Sequence, residues 1–101
     1  MTDASNASRT YLCNIGKGEW EPSLIDKAGI KERQLPKIVD SFKKETAIIK
    51  KGALAGIAIS SILGDQQSSA YSHGLKTNEV KITYGTGCFL IASIGQKPII
   101  H

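Results

Sequence analysis

A carboxylate and a glycine-flanked threonine are the residues of this sequence that could do chemistry together. Asp65 lies in the stretch 64–67, which reads GDQQ, and Thr86 lies in the stretch 84–89, which reads YGTGCF. A carboxylate can accept the proton of a hydroxyl group, and the backbone N–H groups of a Gly-Thr-Gly turn can bind phosphate oxygens. This combination suits the transfer of a phosphoryl group to a hydroxyl.

The element that must position Asp65 is a helix that follows a strand. Residues 53–63 form an aliphatic run of strand length or slightly longer, and the small residues of 66–73 then predict a helix that ends at Gly74. We therefore expect Asp65 at the N-cap of this helix. An aspartate there can simply cap free N–H groups, which contributes about 1 kcal/mol. Alternatively, it can face a cleft, because α/β folds bind ligands at the carboxyl ends of strands.

Two strands, 80–84 and 88–93, are predicted on either side of the turn Gly85-Thr86-Gly87. Glycines tolerate positive φ in tight hairpins, so this triplet has a purely structural interpretation. The same backbone freedom allows successive N–H groups to form a nest for phosphate, to which the threonine hydroxyl could add a donor. Phe89 has two interpretations as well, as a core residue or as the wall of a binding site.

The first half of the chain is less regular. We expect a loop followed by a short helix that starts near Pro22 and ends at Gly29. The mostly charged segment 42–51 is typical of an exposed excursion. The core should be aliphatic, drawn from 53–63 and 88–94.

Composition limits the chain to one small globular unit, because 101 residues with 41% hydrophobic content allow only a modest core. The net charge is +4, but the lysines are scattered and no aromatic residue interleaves them, so we expect no nucleic-acid partner. Cys13 and Cys88 are far apart and belong to no Cys/His cluster, which predicts no metal site and favours a reduced, cytoplasmic compartment. The longest apolar run, 53–63, is too short for a membrane segment.

Four stretches resemble one known family, in the same order. Residues 2–10 (TDASNASRT) are similar to its TDxTNASRT segment, and residues 35–38 (LPKI) are similar to its LPEI or LPEV. Residues 56–67 resemble GIPISGxxGDQQ, and residues 83–90 repeat TYGTGCFL. The family is that of the FGGY carbohydrate kinases, and the Thr-Gly-Cys-Phe form resembles its glycerol kinase branch.

The resemblance implies an α/β fold, as a fragment of a ribonuclease H-like (actin-like ATPase) two-lobed kinase. Residues 1–74 would end the N-terminal domain, and residues 75–101 would begin the C-terminal domain. The implied reaction is ATP-dependent phosphorylation of glycerol to glycerol 3-phosphate, with ATP and Mg²⁺ as cofactors.

Site residues are also implied by the resemblance. Asp65 would be the catalytic base and would bind glycerol. Gln66 would hydrogen-bond a glycerol hydroxyl, and Phe89 would lie against the carbon face of glycerol. ATP phosphates would be bound at Gly85, Thr86 and Gly87.

Several family features are changed or missing. Ala58, Ser61 and Ile82 replace the usual Pro, Gly and Asn, and the loop between Asp65 and Thr86 is one residue shorter than is common. The first phosphate hairpin, the Arg-Glu pair for glycerol and the adenine-side glycines do not occur, so we expect this segment alone to be incomplete and inactive. We also expect poor solubility or self-association through unpaired strands. The alternative function is a non-catalytic, kinase-derived interaction module.

Overall fold

The computed structural model describes residues 1–99, except for the side chains of residues 44–46. The chain divides into two compact units, residues 1–63 and 64–101. The last two residues of the predicted second domain, 100 and 101, lie outside the described residues. The structure mixes short helices and strands, as expected of an α/β chain.

In the first unit, short elements pair into small sheets. The elements in chain order are β1 (Thr2–Asp3), α1 (Ala4–Ala7), β2 (Cys13–Asn14), β3 (Glu19–Trp20), α2 (Pro22–Lys27), β4 (Ile38–Val39), β5 (Phe42–Ile48) and β6 (Ala58–Ser61). Strand β1 pairs parallel with β4, whereas β2 pairs antiparallel with β3 and β5 pairs antiparallel with β6. A 3-10 turn, Glu32–Gln34, precedes β4.

A buried aspartate organises the start of the first unit. The Asp3 carboxylate accepts hydrogen bonds from the backbone N–H groups of Ser5 (3.0 Å) and Asn6 (3.2 Å), and so caps α1. The Ser41 hydroxyl donates to the same carboxylate at 2.7 Å, which joins two segments that are distant in sequence. Asp3 and Ala7 are fully buried. This helix was not predicted, because the sequence suggested only a loop there.

Helix α2 confirms the prediction of a short helix near Pro22. Pro22 is its first residue, where a missing N–H group costs nothing. Gly29 follows the helix with φ +67°, a conformation that glycine adopts without strain. Ile25 is buried, and it belongs to the apolar face of this helix.

Two sequence predictions in the first unit are wrong in part. Segment 42–51 is exposed at Phe42 and Ile48, as expected, but most of it forms β5. The aliphatic run 53–63 is a strand only over Ala58–Ser61. Its first part is a turn, because Gly52 and Gly56 have φ values of +88° and +90° and reverse the chain.

The predicted aliphatic core is also corrected by the structure. No residue of 53–63 or 88–94 is buried. Each sheet in residues 1–99 has only two strands, which is too narrow a surface to bury these apolar side chains fully. The described buried residues are instead Asp3, Ala7 and Ile25.

The second unit contains helix α3 (Asp65–Ser72) and a hairpin of β7 (Val80–Tyr84) and β8 (Cys88–Ala92). The helix ends as predicted, because Gly74 has φ +63° and its N–H donates to the Tyr71 carbonyl at 2.9 Å. The two strands and the connecting turn also confirm the prediction.

Candidate active site

Asp65 is the first residue of α3, and the N-cap is Gly64. The prediction of Asp65 at the N-cap is therefore wrong by one position. Its carboxylate accepts a hydrogen bond from the Gln66 backbone N–H at 2.7 Å, and the side chain is exposed to solvent. A negative charge in the first turn is favoured by the partial positive charge of the helix N-terminus. Asp65 thus presents an accessible carboxylate that could accept a proton.

The next residue, Gln66, connects the helix to the hairpin. Its side-chain carbonyl oxygen, Oε1, accepts hydrogen bonds from the Thr83 hydroxyl (3.3 Å) and the Lys81 ammonium (3.4 Å). Lys81 also donates to the Thr83 hydroxyl. All three side chains are half-buried. This network fixes the N-terminus of α3 beside β7.

Phe89 lies on β8, the strand that pairs with β7. The antiparallel register pairs Thr83 directly with Phe89, so both side chains project from the same face of the hairpin. Phe89 is 47% exposed. Phe89 is therefore not a core residue here, and its ring can form the wall of a binding site.

The turn between the strands has a specific need for glycine at one position. A Cβ atom at Gly87 would lie 2.9 Å from Cε2 of Phe89, which is closer than real Cβ contacts. Neither Gly85 nor Gly87 has a left-handed backbone, so positive φ does not explain these glycines. The Gly85 N–H donates to the Gly87 carbonyl at 3.2 Å and closes the turn. Thr86, at the tip, is exposed.

Not all the predicted site residues contact one another. Gln66 and Phe89 are both neighbours of Thr83, and Phe89 borders Gly87. Within residues 1–99, no hydrogen bond connects Asp65 to the turn at Thr86. Asp65 and the turn at Thr86 belong to the same compact unit.

Lys81 and Thr83 are the site residues that the sequence analysis missed. Both project toward Gln66, whereas Val80, Ile82 and Tyr84, on the opposite face of β7, are exposed. The sequence does indicate that Lys81 and Thr83 share one face of β7, because side chains alternate between the two faces of a strand. Their contact with Gln66 could not be predicted, because it depends on the position of α3, which the sequence does not reveal.

The described part of the chain holds no group of three or more His, Cys, Asp and Glu side chains that could bind a metal ion. Cys13 and Cys88 are both thiols, and burial raises the pKa of Cys13. No helix among the described residues has the length and apolar character needed to cross a membrane.

Comparison with known proteins identifies relatives along nearly the whole chain. Residues 1–72 match the N-terminal domain of the FGGY family of carbohydrate kinases. The chain is 44% identical to a glycerol kinase of Alkalilimnicola ehrlichii over 100 residues, which covers 98% of this chain and 20% of that protein. It is 45% identical to a glycerol kinase of Gloeobacter violaceus over 101 residues, and this match covers 97% of the chain and 20% of the relative. The chain thus spans about a fifth of the length of the curated relatives it matches.

Proposed function

The chain belongs to the FGGY family of carbohydrate kinases, and on this basis we propose that the protein carrying it transfers a phosphoryl group from ATP to glycerol. The product is glycerol 3-phosphate, and the role of the enzyme is in glycerol catabolism. The observation that carries the proposal is the similarity of nearly every part of this chain to proteins named glycerol kinase.

Asp65 acts as the general base in this proposal. Its exposed carboxylate accepts the proton of the glycerol hydroxyl while the hydroxyl oxygen forms a bond to the γ-phosphorus of ATP. The bond from the γ-phosphorus to the bridging oxygen breaks, and ADP leaves. Holding the reacting hydroxyl and the phosphoryl group in line supplies most of the rate enhancement, because phosphoryl transfer depends chiefly on positioning and charge stabilisation.

Gln66 and Phe89 bind glycerol. A small polyol needs polar partners for its hydroxyl groups and an apolar surface for its carbon atoms. Gln66 supplies a side-chain amide next to the base, and the half-exposed ring of Phe89 supplies the apolar wall. Both residues are linked through Thr83, by a hydrogen bond to Gln66 and by cross-strand pairing with Phe89.

The turn Gly85-Thr86-Gly87 holds phosphate oxygens of ATP. Because the Gly85 N–H already donates to the Gly87 carbonyl, the candidate donors are the exposed Thr86 hydroxyl and the N–H groups of Thr86 and Gly87. The donor set in residues 1–99 does not form a magnesium cage, because it lacks a cluster of three or more suitable ligands. Magnesium would therefore enter with the nucleotide, held chiefly by the phosphates of ATP.

The wider architecture is also part of the proposal. Residues 1–74 end the N-terminal domain and residues 75–101 begin the C-terminal domain of a two-lobed, actin-like kinase, in which closure of the lobes excludes water from the substrates. We place the enzyme in the cytoplasm, where two widely separated cysteines remain thiols.

Measurement of ADP release by the natural-length protein tests the activity. We expect ATP-dependent turnover with glycerol, and much weaker turnover with pentoses and pentitols. Turnover that requires a pentose and not glycerol would place the protein in another branch of the family. Absence of turnover with every polyol would reject the kinase proposal.

A second candidate, a non-catalytic interaction module, is favoured by one observation. The outward face of the hairpin exposes the apolar side chains of Val80, Ile82 and Leu90, which suit contact with another protein. Mixing the 101-residue chain with the complementary part of a glycerol kinase separates the two functions. Phosphoryl transfer that appears only on mixing supports the kinase, whereas binding without turnover supports the module.

A further inference from the structure

The network around Gln66 contains two side chains that are not expected to touch the substrates of the reaction proposed above. Lys81 and Thr83 both donate to Oε1 of Gln66, at 3.4 Å and 3.3 Å, and Lys81 also donates to the hydroxyl of Thr83. These three residues come from two elements, α3 and β7. The network closes on itself, because each member contacts the other two.

The chemistry of these groups determines how the Gln66 amide is oriented. A lysine ammonium can only donate hydrogen bonds, so the amide atom that faces it must be the carbonyl oxygen. The Thr83 hydroxyl accepts from Lys81 and therefore uses its single proton to donate to Gln66. With the oxygen held by two donors, the Nε2 group of Gln66 is directed away from β7, where its protons can be donated.

This orientation complements the carboxylate beside it. Asp65 can only accept hydrogen bonds when it is ionised. If Gln66 presented its Oε1 atom to the substrate, the reacting hydroxyl would lie between Oε1 and the Asp65 carboxylate. Both groups accept hydrogen bonds, but the hydroxyl has only one proton to donate. If Gln66 presents its NH₂ group instead, the hydroxyl donates to Asp65 and accepts from Gln66, so that the reacting proton is directed to the base.

We propose that Lys81, together with Thr83, is a positioning residue that holds Gln66 with its amide NH₂ toward the substrate and thereby selects a hydroxyl oxygen as the bound group. This inference rests on the proposed function and assigns a specificity role to residues outside the set expected to touch glycerol. Because Thr83 pairs with Phe89, the same strand position supports both the polar and the apolar contact with the polyol.

Steady-state kinetics of the natural-length protein provide the first test. Lys81→Met retains the aliphatic stem but removes the donor, and we expect it to raise KM for glycerol about tenfold while KM for ATP changes by less than about twofold. Lys81→Arg keeps a donor-only group and should restore most of the affinity. Lys97→Met is the matched control, because Lys97 is an exposed lysine outside the network, and its kinetic constants should equal those of the wild type.

A double-mutant cycle distinguishes positioning from a separate contact with substrate. In a Gln66→Ala background, Lys81→Met should cause no further increase in KM for glycerol, because the side chain that it orients is gone. An equal increase in both backgrounds would overturn the inference. Thr83→Val serves as a second variant if Lys81→Met does not fold, and it should raise KM for glycerol in the wild-type background alone.

A measurement independent of activity completes the test. With ¹⁵N-labelled glutamine, the side-chain NH₂ signals of Gln66 are assigned by their loss in Gln66→Ala. We expect these signals to shift in Lys81→Met and to stay in place in Lys97→Met. If Lys81→Met shifts the Gln66 signals but the wild-type protein does not phosphorylate glycerol, the proposed function is rejected and the positioning role is retained. An active kinase in which Lys81→Met leaves the Gln66 signals unmoved would reject the positioning role alone.

Discussion

The ring of Phe89 occupies the space that a side chain at Gly87 would need, with Cε2 only 2.9 Å from the position of a Cβ atom. This contact links the proposed wall of the glycerol site to the proposed phosphate-binding turn. Phe89 is about half-exposed, so we expect a side chain at position 87 to displace its ring without unfolding the hairpin. Glycine at position 87 thus connects the geometry of the two proposed substrate sites.

Gly87→Ala should displace the ring of Phe89, since the new methyl group cannot share its position. We expect KM for glycerol to rise roughly threefold to tenfold, with little loss of stability, because the ring is at the surface. Ring proton signals of Phe89 would report the displacement directly. Gly85→Ala is a matched comparison, because its Cβ would meet only the Gly87 carbonyl oxygen at 3.8 Å, and the Phe89 signals should stay in place. Unmoved ring signals in Gly87→Ala would contradict the structure.

Asp3 should make the stability of the protein depend on pH. Burial by itself would raise the pKa of this carboxyl, but hydrogen bonds from Ser5, Ser41 and Asn6 outweigh burial and hold the pKa well below its usual range. Since the folded-state pKa lies below that of the unfolded chain, the contribution of Asp3 is complete above about pH 4 and is lost as the pH falls further.

The free energy of unfolding in urea, measured at about pH 7 and about pH 3, tests this expectation. Asp3→Asn should cost about 2 kcal/mol at the higher pH and distinctly less at the lower pH, where the Asp3 carboxyl of the unfolded chain is largely protonated while that of the folded protein is still ionised. The exposed Asp40 provides the control, and Asp40→Asn should change stability by less than about 0.5 kcal/mol. A cost for Asp3→Asn that is the same at both pH values would show that the charge of Asp3 is unimportant.

The second unit was largely predictable from sequence because glycines mark its boundaries. Gly74 ends α3, and the glycine-flanked Thr86 separates two strands of high β propensity. In the site, the neighbouring positions of Asp65 and Gln66 follow from sequence alone. The role of Lys81 does not, because a lysine in a strand shows its partner only when the register and the neighbouring helix are known.

The first unit was harder to predict because its order comes from polar contacts and backbone pairing. Helix α1 depends on the Asp3 cap and has no apolar periodicity to reveal it. Strand β5 is rich in charged residues, and its pairing with β6 uses main-chain groups that every residue carries. The aliphatic run 53–63 was misleading, because a hydrophobic segment interrupted by left-handed glycines becomes a turn.

The outward face of the hairpin should make the isolated 101-residue chain self-associate. Its exposed apolar residues lie on the side away from Lys81 and Thr83. We expect Ile82→Thr combined with Leu90→Thr to lower the associated fraction in sedimentation experiments several-fold, since two apolar contacts are removed. The paired control, Gln96→Thr with Lys97→Thr, changes exposed polar residues and should have no effect. A monodisperse chain that melts in one sharp transition would contradict this expectation.

The most direct test of the account compares wild-type protein of natural length with Asp65→Asn, using ³¹P NMR to follow the transfer of phosphate from ATP to glycerol. Asparagine keeps the shape of aspartate but cannot take the proton, so we expect kcat to fall by about 100-fold or more while KM for glycerol changes by less than about threefold. Formation of glycerol 3-phosphate by the wild type, with this selective loss in the variant, is the predicted result. Equal rates in the two proteins, or no glycerol 3-phosphate from the wild type, would contradict the assignment of Asp65 as the base of a glycerol kinase.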